Sequence, residues 1–198
     1  MTPAAALRPA LLALPLLLLA AASGRKHAPP SATPAPAGAP LPASGIDLRG
    51  TLGNRRLSMP ILGLPQSALK DTYEEGRGGG RRKHEALDIL APRGSPVVAV
   101  DDGFVAKLFL SVPGGITVYQ FDPTSTWCYY YAHLDRWAEG LREGQTLRRG
   151  DVVGYVGTTG NAPKDAPHLH FAVSRLGPER RWWVSTPIDP YPILASSS

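Results

Sequence analysis

The sequence predicts an all-β domain, mainly antiparallel and with little helix. Short runs rich in Val, Phe and Tyr recur between turn residues at close spacing. An Asp102-Gly103 pair lies between two such runs, at 96–100 and 104–110, which is a hairpin signal. The stretch 168–171 alternates histidines with apolar residues, as a half-buried strand does. We therefore expect a small sheet, similar to half of a barrel, with a central groove.

The first elements of the domain are short. Residues 57–63 are apolar enough for a first strand, and residues 69–75 read as a charged turn. Residues 76–82 are so rich in glycine that the loop is either mobile or tightly turned. The loop lacks the Gly-Lys-Ser/Thr ending of a phosphate-binding loop, so we do not expect a nucleotide there.

The middle of the chain predicts paired strands. Residues 87–90 form a strand, and the Asp-Gly pair joins 96–100 to 104–110. A second pair, 115–121 and 127–132, is joined by a turn with Asp and Pro at 122–125. Of the tyrosines at 129–131, the members that point out of the sheet could line the groove, as could half of the pair Trp182-Trp183.

The last elements lead to a strand that carries two histidines. Residues 135–141 could hold one or two helical turns, and residues 150–157 form a β-rich unit bounded by glycines. The strand that begins at His168 follows. Asp101 and Asp102 are predicted to serve only as turn residues.

The 198 residues divide into four parts. In residues 1–22, Arg8 is the only charged side chain and an apolar run ends in small residues, as in a cleaved signal peptide; a retained anchor is the alternative. Residues 23–45 are an Ala/Pro-rich tether. Residues 46–193 form the domain, with its motifs between 83 and 175, and residues 194–198 are a tail.

The charge and cysteine content narrow the possible partners. Loss of Arg8 with the signal would lower the formal charge from +5 to +4, and a basic surface suits an acidic polymer or a membrane surface. The basic cluster at 77–83 has no interleaved aromatic residues, and no recognition helix or zinc finger is present, so nucleic acid is not an expected partner. Cys128 is the single cysteine and cannot form an internal disulfide; its apolar neighbours predict a buried side chain.

Four histidines and one aspartate could support metal chemistry. On a strand, His168 and His170 share one face while Leu169 projects from the other. His84 stands four residues before Asp88, and an even separation places both on one face of a strand. Two histidines and an aspartate can hold zinc and leave a fourth position for water.

These motifs, with the sequence Tyr-Ala-His-Leu that contains His133, resemble the LytM or lysostaphin family of zinc metalloendopeptidases, the glycylglycine-endopeptidase family. The resemblance runs from about residue 59 to 189 and includes Pro-Arg-Gly-Ser-Pro-Val at 92–97 and Arg-Gly-Asp at 149–151. It implies one Zn²⁺ per chain, bound by His84, Asp88 and His170. It also implies that His133 and His168 are catalytic residues beside the metal-activated water, although it does not say which one is the general base.

Three positions depart from the family pattern. Ala86 and Ala166 stand where the family usually has glycine, and Ala172 stands where it usually has glutamate. An alanine at a position that required a positive φ would be strained.

The resemblance implies a secreted zinc-dependent endopeptidase that hydrolyses peptide cross-links of bacterial peptidoglycan. The expected location is the periplasm or cell envelope, or outside the cell, with no stable membrane span after signal cleavage. The bond could be D-alanyl-diaminopimelate or a glycine bridge. Two other functions stay open: a non-catalytic LytM-fold activator of cell-wall amidases, and a biotinyl or lipoyl carrier, for which the chain lacks a suitable hairpin lysine.

Overall fold

The structure is a computed structural model that describes residues 52, 55–77 and 79–196. The predicted signal peptide at 1–22 and the predicted tether at 23–45 lie outside the described residues. Both remain predictions from the sequence.

Short strands account for most of the regular structure in the described part of the chain. A 3₁₀ helix, Gln66–Ala68, precedes them, and a single short α-helix, α1 (Tyr191–Ala195), follows them. The strands are β1 (Gly76–Arg77), β2 (Arg82–Lys83), β3 (Leu87–Leu90), β4 (Pro96–Val98), β5 (Gly103–Ser111), β6 (Gly115–Phe121), β7 (Trp127–Trp137), β8 (Thr146–Leu147), β9 (Val152–Val156), β10 (His168–Leu176) and β11 (Ser185–Ile188).

Nine of these strands form one antiparallel sheet. The main path runs β11-β10-β7-β6-β5-β8, while β3 pairs with β10, and β9 pairs with both β7 and β4. The strand β10 has β7 along one edge, and β3 and then β11 along the other. β1 and β2 pair only with each other, as a separate hairpin. The predicted all-β, mainly antiparallel class is confirmed.

The two faces of β7 and β10 carry different residues, because successive side chains alternate across a strand. Tyr129 and Tyr131 of β7, and Leu169 and Phe171 of β10, have no exposed surface and pack in the main apolar core. Tyr130 and the histidines of β10 lie on the opposite face. This separation is the one that the alternating sequence predicted.

The hairpin predicted at Asp102-Gly103 is wrong. The strand β4 pairs with β9, and β5 pairs with β6 and β8, so the two runs beside this dipeptide do not pair with each other. Neither residue has the positive φ that a tight hairpin turn requires. Glycine is needed at 103 for close approach, because a Cβ there would lie 2.0 Å from the carbonyl oxygen of Phe121.

Two shorter elements also differ from the prediction. Residues 135–141 do not form a helical turn, because β7 continues to Trp137 and pairs there with β9. Residues 57–63 are not a strand: only Ile61 makes an isolated bridge, to Val97, and Pro60 has no N–H to extend the ladder. The glycine-rich segment is tightly turned, since Gly79 and Gly80 both have positive φ between β1 and β2, which confirms one of the two conformations predicted for this segment.

The end of the domain is packed. The side chain of Leu194 is fully buried in α1, and Gln66 donates a hydrogen bond from Nε2 to its carbonyl oxygen at 3.0 Å. The helix therefore crosses the predicted boundary between domain and tail at residues 193 and 194. Trp182 and Trp183 lie in the turn between β10 and β11 and not on a strand. No helix of the described residues has the length and apolar character of a membrane span.

Candidate metal centre

An open groove of about 510 Å³ lies on the face of the sheet opposite the core. Strands β3, β7 and β10 supply its floor, and the β1–β2 hairpin and the loops around residues 113 and 163 supply further lining. The lining residues are Arg77, Arg82, His84, Asp88, Leu90, Pro113, Gly114, Tyr130, Ala132, His133, Asn161, Ala162, Pro163, Ala166, His168 and His170. All five sequence-predicted site residues are among them.

The pairing of β3 with β10 places two of the predicted ligands opposite each other. Asp88 and His170 are direct partners in this antiparallel ladder. His84 reaches the same point differently from the prediction, because β3 begins only at Leu87 and Glu85 has a φ of +58°. The chain therefore turns between His84 and the strand, so simple alternation does not bring His84 to Asp88.

Three ligand atoms form a nearly equilateral triangle. Nε2 of His84, Nδ1 of His170 and Oδ1 of Asp88 are each 3.0 Å from the other two. Ligand atoms about 2.0 Å from a tetrahedral zinc ion are about 3.3 Å apart, so the triangle approximates one face of such a site. Within the described residues, this is the group of His, Cys, Asp and Glu side chains that could jointly hold a metal ion.

The chemistry of the three atoms also fits a cation. Nδ1 of His84 lies 2.9 Å from the carbonyl oxygen of Thr72, and a carbonyl can only accept a hydrogen bond. In a neutral imidazole the proton is therefore on Nδ1, and Nε2 directs a lone pair at Asp88 and His170. The three atoms can share a proton through hydrogen bonds or, in its place, bind a metal ion with their lone pairs.

The ionisation states of Asp88 and His170 suit metal binding. Burial raises the pKa of Asp88, but hydrogen bonds with His170 and His84 outweigh burial and hold this pKa well below its usual range. Burial lowers the pKa of His170, although the neighbouring Asp88 carboxylate opposes this effect. A charged carboxylate and a neutral imidazole are the forms that bind a metal ion.

His133 faces the groove because β7 contains a bulge. The register with β6 shifts from Val118 opposite Tyr131 to Ile116 opposite Leu134, so β7 has one extra residue. His133 lies in that irregular segment with a φ of +61°. Without the bulge, His133 would share the core face of Tyr131; with it, His133 lines the groove and Leu134 is buried.

His133 and His168 are held alike, each by its Nδ1 atom. The Nδ1 atom of His133 lies 2.9 Å from the carbonyl oxygen of Thr159, and that of His168 lies 2.8 Å from the carbonyl oxygen of Ala166. Each Nδ1 must donate, so each neutral ring keeps a lone pair on Nε2. Burial lowers the pKa of His133 to about 4, although the hydrogen bond to Thr159 opposes this effect.

These two rings lie beside the ligand triangle. The ring centroids of His133 and His168 are 5.0 Å apart, and those of His133 and His170 are 5.6 Å apart. Nε2 of His168 is 3.8 Å from Oδ1 of Asp88. The structure therefore gathers all five predicted residues, while the division into ligands and catalytic residues stays a prediction.

Sequence reasoning missed the groups that hold the ligands in place. Arg77 donates from Nη2 to Oδ2 of Asp88 at 2.5 Å, which leaves Oδ1 for the triangle. The hydroxyl of Thr72 accepts the backbone N–H of Asp88 at 3.0 Å, while its carbonyl accepts the hydrogen bond of His84. A carbonyl acceptor leaves no sequence signal, because every residue has one. Arg77 had a weak signal, its place in the basic cluster.

The alanine departures do not disturb the site. Ala86 is buried and does not have a positive φ, so the predicted strain is absent there; Glu85 has that conformation instead. Ala166 contributes its carbonyl, which any residue could supply.

Of the tyrosines at 129–131, Tyr130 lines the groove as its outward position predicted. Cys128 is buried as predicted, and burial raises the pKa of its thiol to about 12.

Known proteins share this sequence pattern. The family model described as Peptidase family M23 matches residues 82–190. The chain is 34% identical over 72% of its length to an L-Ala–D-Glu endopeptidase of Bacillus subtilis, and 32% identical over 47% of its length to the peptidoglycan DD-endopeptidase ShyC of Vibrio cholerae. It spans 44% and 20% of the lengths of these two relatives.

Solved structures share the fold. The catalytic domain of lysostaphin from Staphylococcus simulans matches with a TM-score of 0.53 and 26% identity, over 66% of this chain and 96% of that domain. A putative glycyl-glycine endopeptidase LytM from Ruminococcus gnavus matches with a TM-score of 0.55 and 32% identity, over 65% of this chain and 53% of that one.

Proposed function

The chain belongs to peptidase family M23, and from this premise we propose that it is a secreted, zinc-dependent endopeptidase that hydrolyses peptide bonds of bacterial peptidoglycan. One observation supports the proposal above the others. The three predicted ligand atoms of His84, Asp88 and His170 lie 3.0 Å apart, at the floor of a groove that two further imidazoles, of His133 and His168, also line. This combination would provide a metal position and proton acceptors in one open site.

His84, Asp88 and His170 would hold the ion, one Zn²⁺ per chain. When bound, zinc supplies Lewis-acid activation of a water molecule and of the scissile carbonyl. Arg77 keeps the Asp88 carboxylate oriented, the Thr72 hydroxyl holds the backbone of Asp88, and the Thr72 carbonyl keeps Nε2 of His84 directed at the site. The residues that surround the ligands thus fix their geometry before the substrate arrives.

His133 and His168 would handle protons. Each presents an Nε2 lone pair, because each Nδ1 donates to a backbone carbonyl. One imidazole accepts a proton from the attacking water at Nε2. The other, once protonated, stabilises the oxyanion or donates to the leaving amine. His168 is the better candidate for the base, because its Nε2 is 3.8 Å from Oδ1 of Asp88 and so lies next to the ligand triangle.

The proposed substrate is the peptide stem or cross-bridge of peptidoglycan. The relatives named above act on an L-Ala–D-Glu bond and as a DD-endopeptidase, which adds a third bond to the two that the sequence left open. Peptidoglycan lies outside the cytoplasmic membrane, so the proposal includes export by the apolar segment at 1–22 to the periplasm, cell envelope or medium.

Metal content and digestion together test this proposal. We expect purified protein to hold one zinc per chain, to release peptides from purified peptidoglycan, and to lose this activity with a chelator and regain it with zinc. Mass spectrometry of products from defined muropeptides identifies the bond. Protein that contains no zinc, digests nothing and still stimulates a cell-wall amidase would instead support the activator function.

A further inference from the structure

The β1–β2 hairpin contributes charge to the groove and no apolar side chain to the core. Its four strand residues are Gly76, Arg77, Arg82 and Lys83. The strands pair only with each other, and an isolated two-stranded hairpin is marginally stable by itself. Packing therefore does not explain why this segment has three cations.

Two of these cations face each other across the hairpin. Arg77 and Arg82 are direct partners in the register, and both line the groove. Side chains at directly opposite positions have Cβ atoms about 5 Å apart, and like charges there are destabilising. Acidic side chains beside Arg77 offset the charge on that side of the hairpin, and an anion beside Arg82 would offset the charge on the other.

The two arginines are not equivalent. Arg77 is occupied by Asp88, at 2.5 Å, and by Glu75, at 2.9 Å. Within the described residues, the exposed guanidinium of Arg82 makes no ion pair or hydrogen bond of its own. Arg82 thus has its full set of donors available for a ligand in the groove.

Among the residues that the structure describes, the rest of the groove lining offers no other cationic side chain that would bind a substrate carboxylate. Apart from these two arginines, Asp88 is the one charged acidic or basic residue of the lining, and the loops contribute uncharged residues such as Pro113, Ala162 and Pro163. Among the charged side chains of the lining, Arg82 is thus the cation left to pair with a substrate carboxylate outside the ligand triangle, and its planar fork suits a carboxylate bidentately.

We propose that Arg82 recognises a free carboxylate on the substrate residue next to the scissile amide. The inference rests on the proposed function and sharpens it. A γ-linked glutamyl residue or a diaminopimelyl residue carries such a carboxylate, whereas a glycine bridge does not. The hairpin would thus select acidic stem peptides over glycine cross-bridges.

A matched pair of peptides tests the proposal. The pair is built around the bond that muropeptide digestion identifies, and its members differ only in a free carboxylate or a carboxamide on the residue next to that bond. With zinc-loaded protein, we expect kcat/KM to be about tenfold higher for the carboxylate peptide, as a charge-assisted hydrogen bond implies. Because the contact already exists in the ground state, the difference should lie in KM.

Two variants separate a local contact from a general charge effect. Arg82→Gln should remove the preference between the two peptides, and Arg82→Lys should restore only part of it because lysine lacks the fork. Lys83→Gln is the matched control: it removes the same charge from the next position, whose side chain pairs with Glu74 at 2.5 Å on the other face of the hairpin. It should keep the full preference.

The outcomes are distinguishable. Three results would overturn this inference while the endopeptidase proposal stands. The unaltered protein could cleave both peptides equally, the preference could survive in Arg82→Gln, or the bond cut could be a glycine-glycine bond. Cleavage of no peptidoglycan bond would overturn the proposed function and this inference with it.

Discussion

Asp88 and Asp101 are both carboxylates at the centre of a cluster, and their neighbours differ in kind. Asp101 is buried and accepts hydrogen bonds from Arg55 at 3.0 Å, Arg149 at 2.8 Å and the Tyr129 hydroxyl at 3.1 Å. All of these partners are donors, and the cluster is closed. Asp101 is therefore a structural residue of the core edge, and not only the turn residue that the sequence predicted.

Asp88 has an arginine donor on one side only. Arg77 donates to its Oδ2, while Oδ1 faces two imidazole nitrogens across 3.0 Å and is open to the groove. Nδ1 of His84 points at the carbonyl oxygen of Thr72, so Nε2 is the atom of this ring that faces Asp88. The kind of partner, and not the number of partners, therefore separates the candidate metal site from the structural ion cluster.

The largest effect is expected from Asp88→Asn. The amide keeps the shape of the side chain but loses the charge, so we expect zinc to dissociate and activity to fall by roughly 10³-fold or more. The melting temperature of metal-free protein should change little. Zinc analysis, digestion and thermal unfolding measure these three quantities. Full zinc content together with full activity in this variant would remove Asp88 from the ligand set.

The next effect concerns His168→Ala and His133→Ala. Loss of a general acid or base lowers turnover by about 10²- to 10⁴-fold, and zinc should stay bound because neither ring belongs to the triangle. Turnover and zinc content are measured on the same samples. If zinc is lost together with activity, the altered histidine is a ligand and the assignment of roles is wrong.

Arg77→Gln probes the donor side of the Asp88 cluster. Loss of a group that orients a metal ligand weakens metal affinity by about 10- to 100-fold, and we expect a change of that size in a zinc competition titration. Arg149→Gln is the matched control, since Arg149 has the same role at Asp101. Equal zinc affinity in the two variants would show that Arg77 does not orient the ligand.

The smallest effect is expected from Asp101→Asn, and it concerns stability alone. The change weakens the pairing of two arginines that are partly exposed, with side-chain exposures of 31% and 40%. Because solvent reduces the cost of weakening these ion pairs, we expect the free energy of unfolding to fall by only about 2 kcal/mol. Zinc content and activity of the folded protein should be unchanged. A loss of zinc would mean that the two clusters are coupled.

Local patterns predicted much of the sheet. The alternation around His168 and His170 gave the correct faces of β10, and the strand at 87–90 and the pair at 115–121 and 127–132 are present. These elements were predictable because a strand with one buried face has apolar residues at every second position, and this pattern is visible in the local sequence.

Long-range packing decided the remaining features. The Asp-Gly dipeptide resembles a hairpin turn, but its glycine is needed for the close approach of Gly103 to the backbone of Phe121. His133 reaches the groove only through a bulge, which depends on how β6 pairs with β7. In the same way, the partners of Asp101 come from positions 46 and 48 residues away along the chain, and no local pattern relates them.

Asp88 and His170 are direct partners in the β3–β10 ladder, so the geometry of the candidate metal site depends on the register of these two strands. A slip of one residue between β3 and β10 would rotate one of these side chains toward the apolar interior. An ion that requires both would then bind only the correctly aligned pair, whose members are 82 positions apart in the sequence. If zinc binds as proposed, it would therefore also stabilise the one strand alignment in which the proposed reaction is possible.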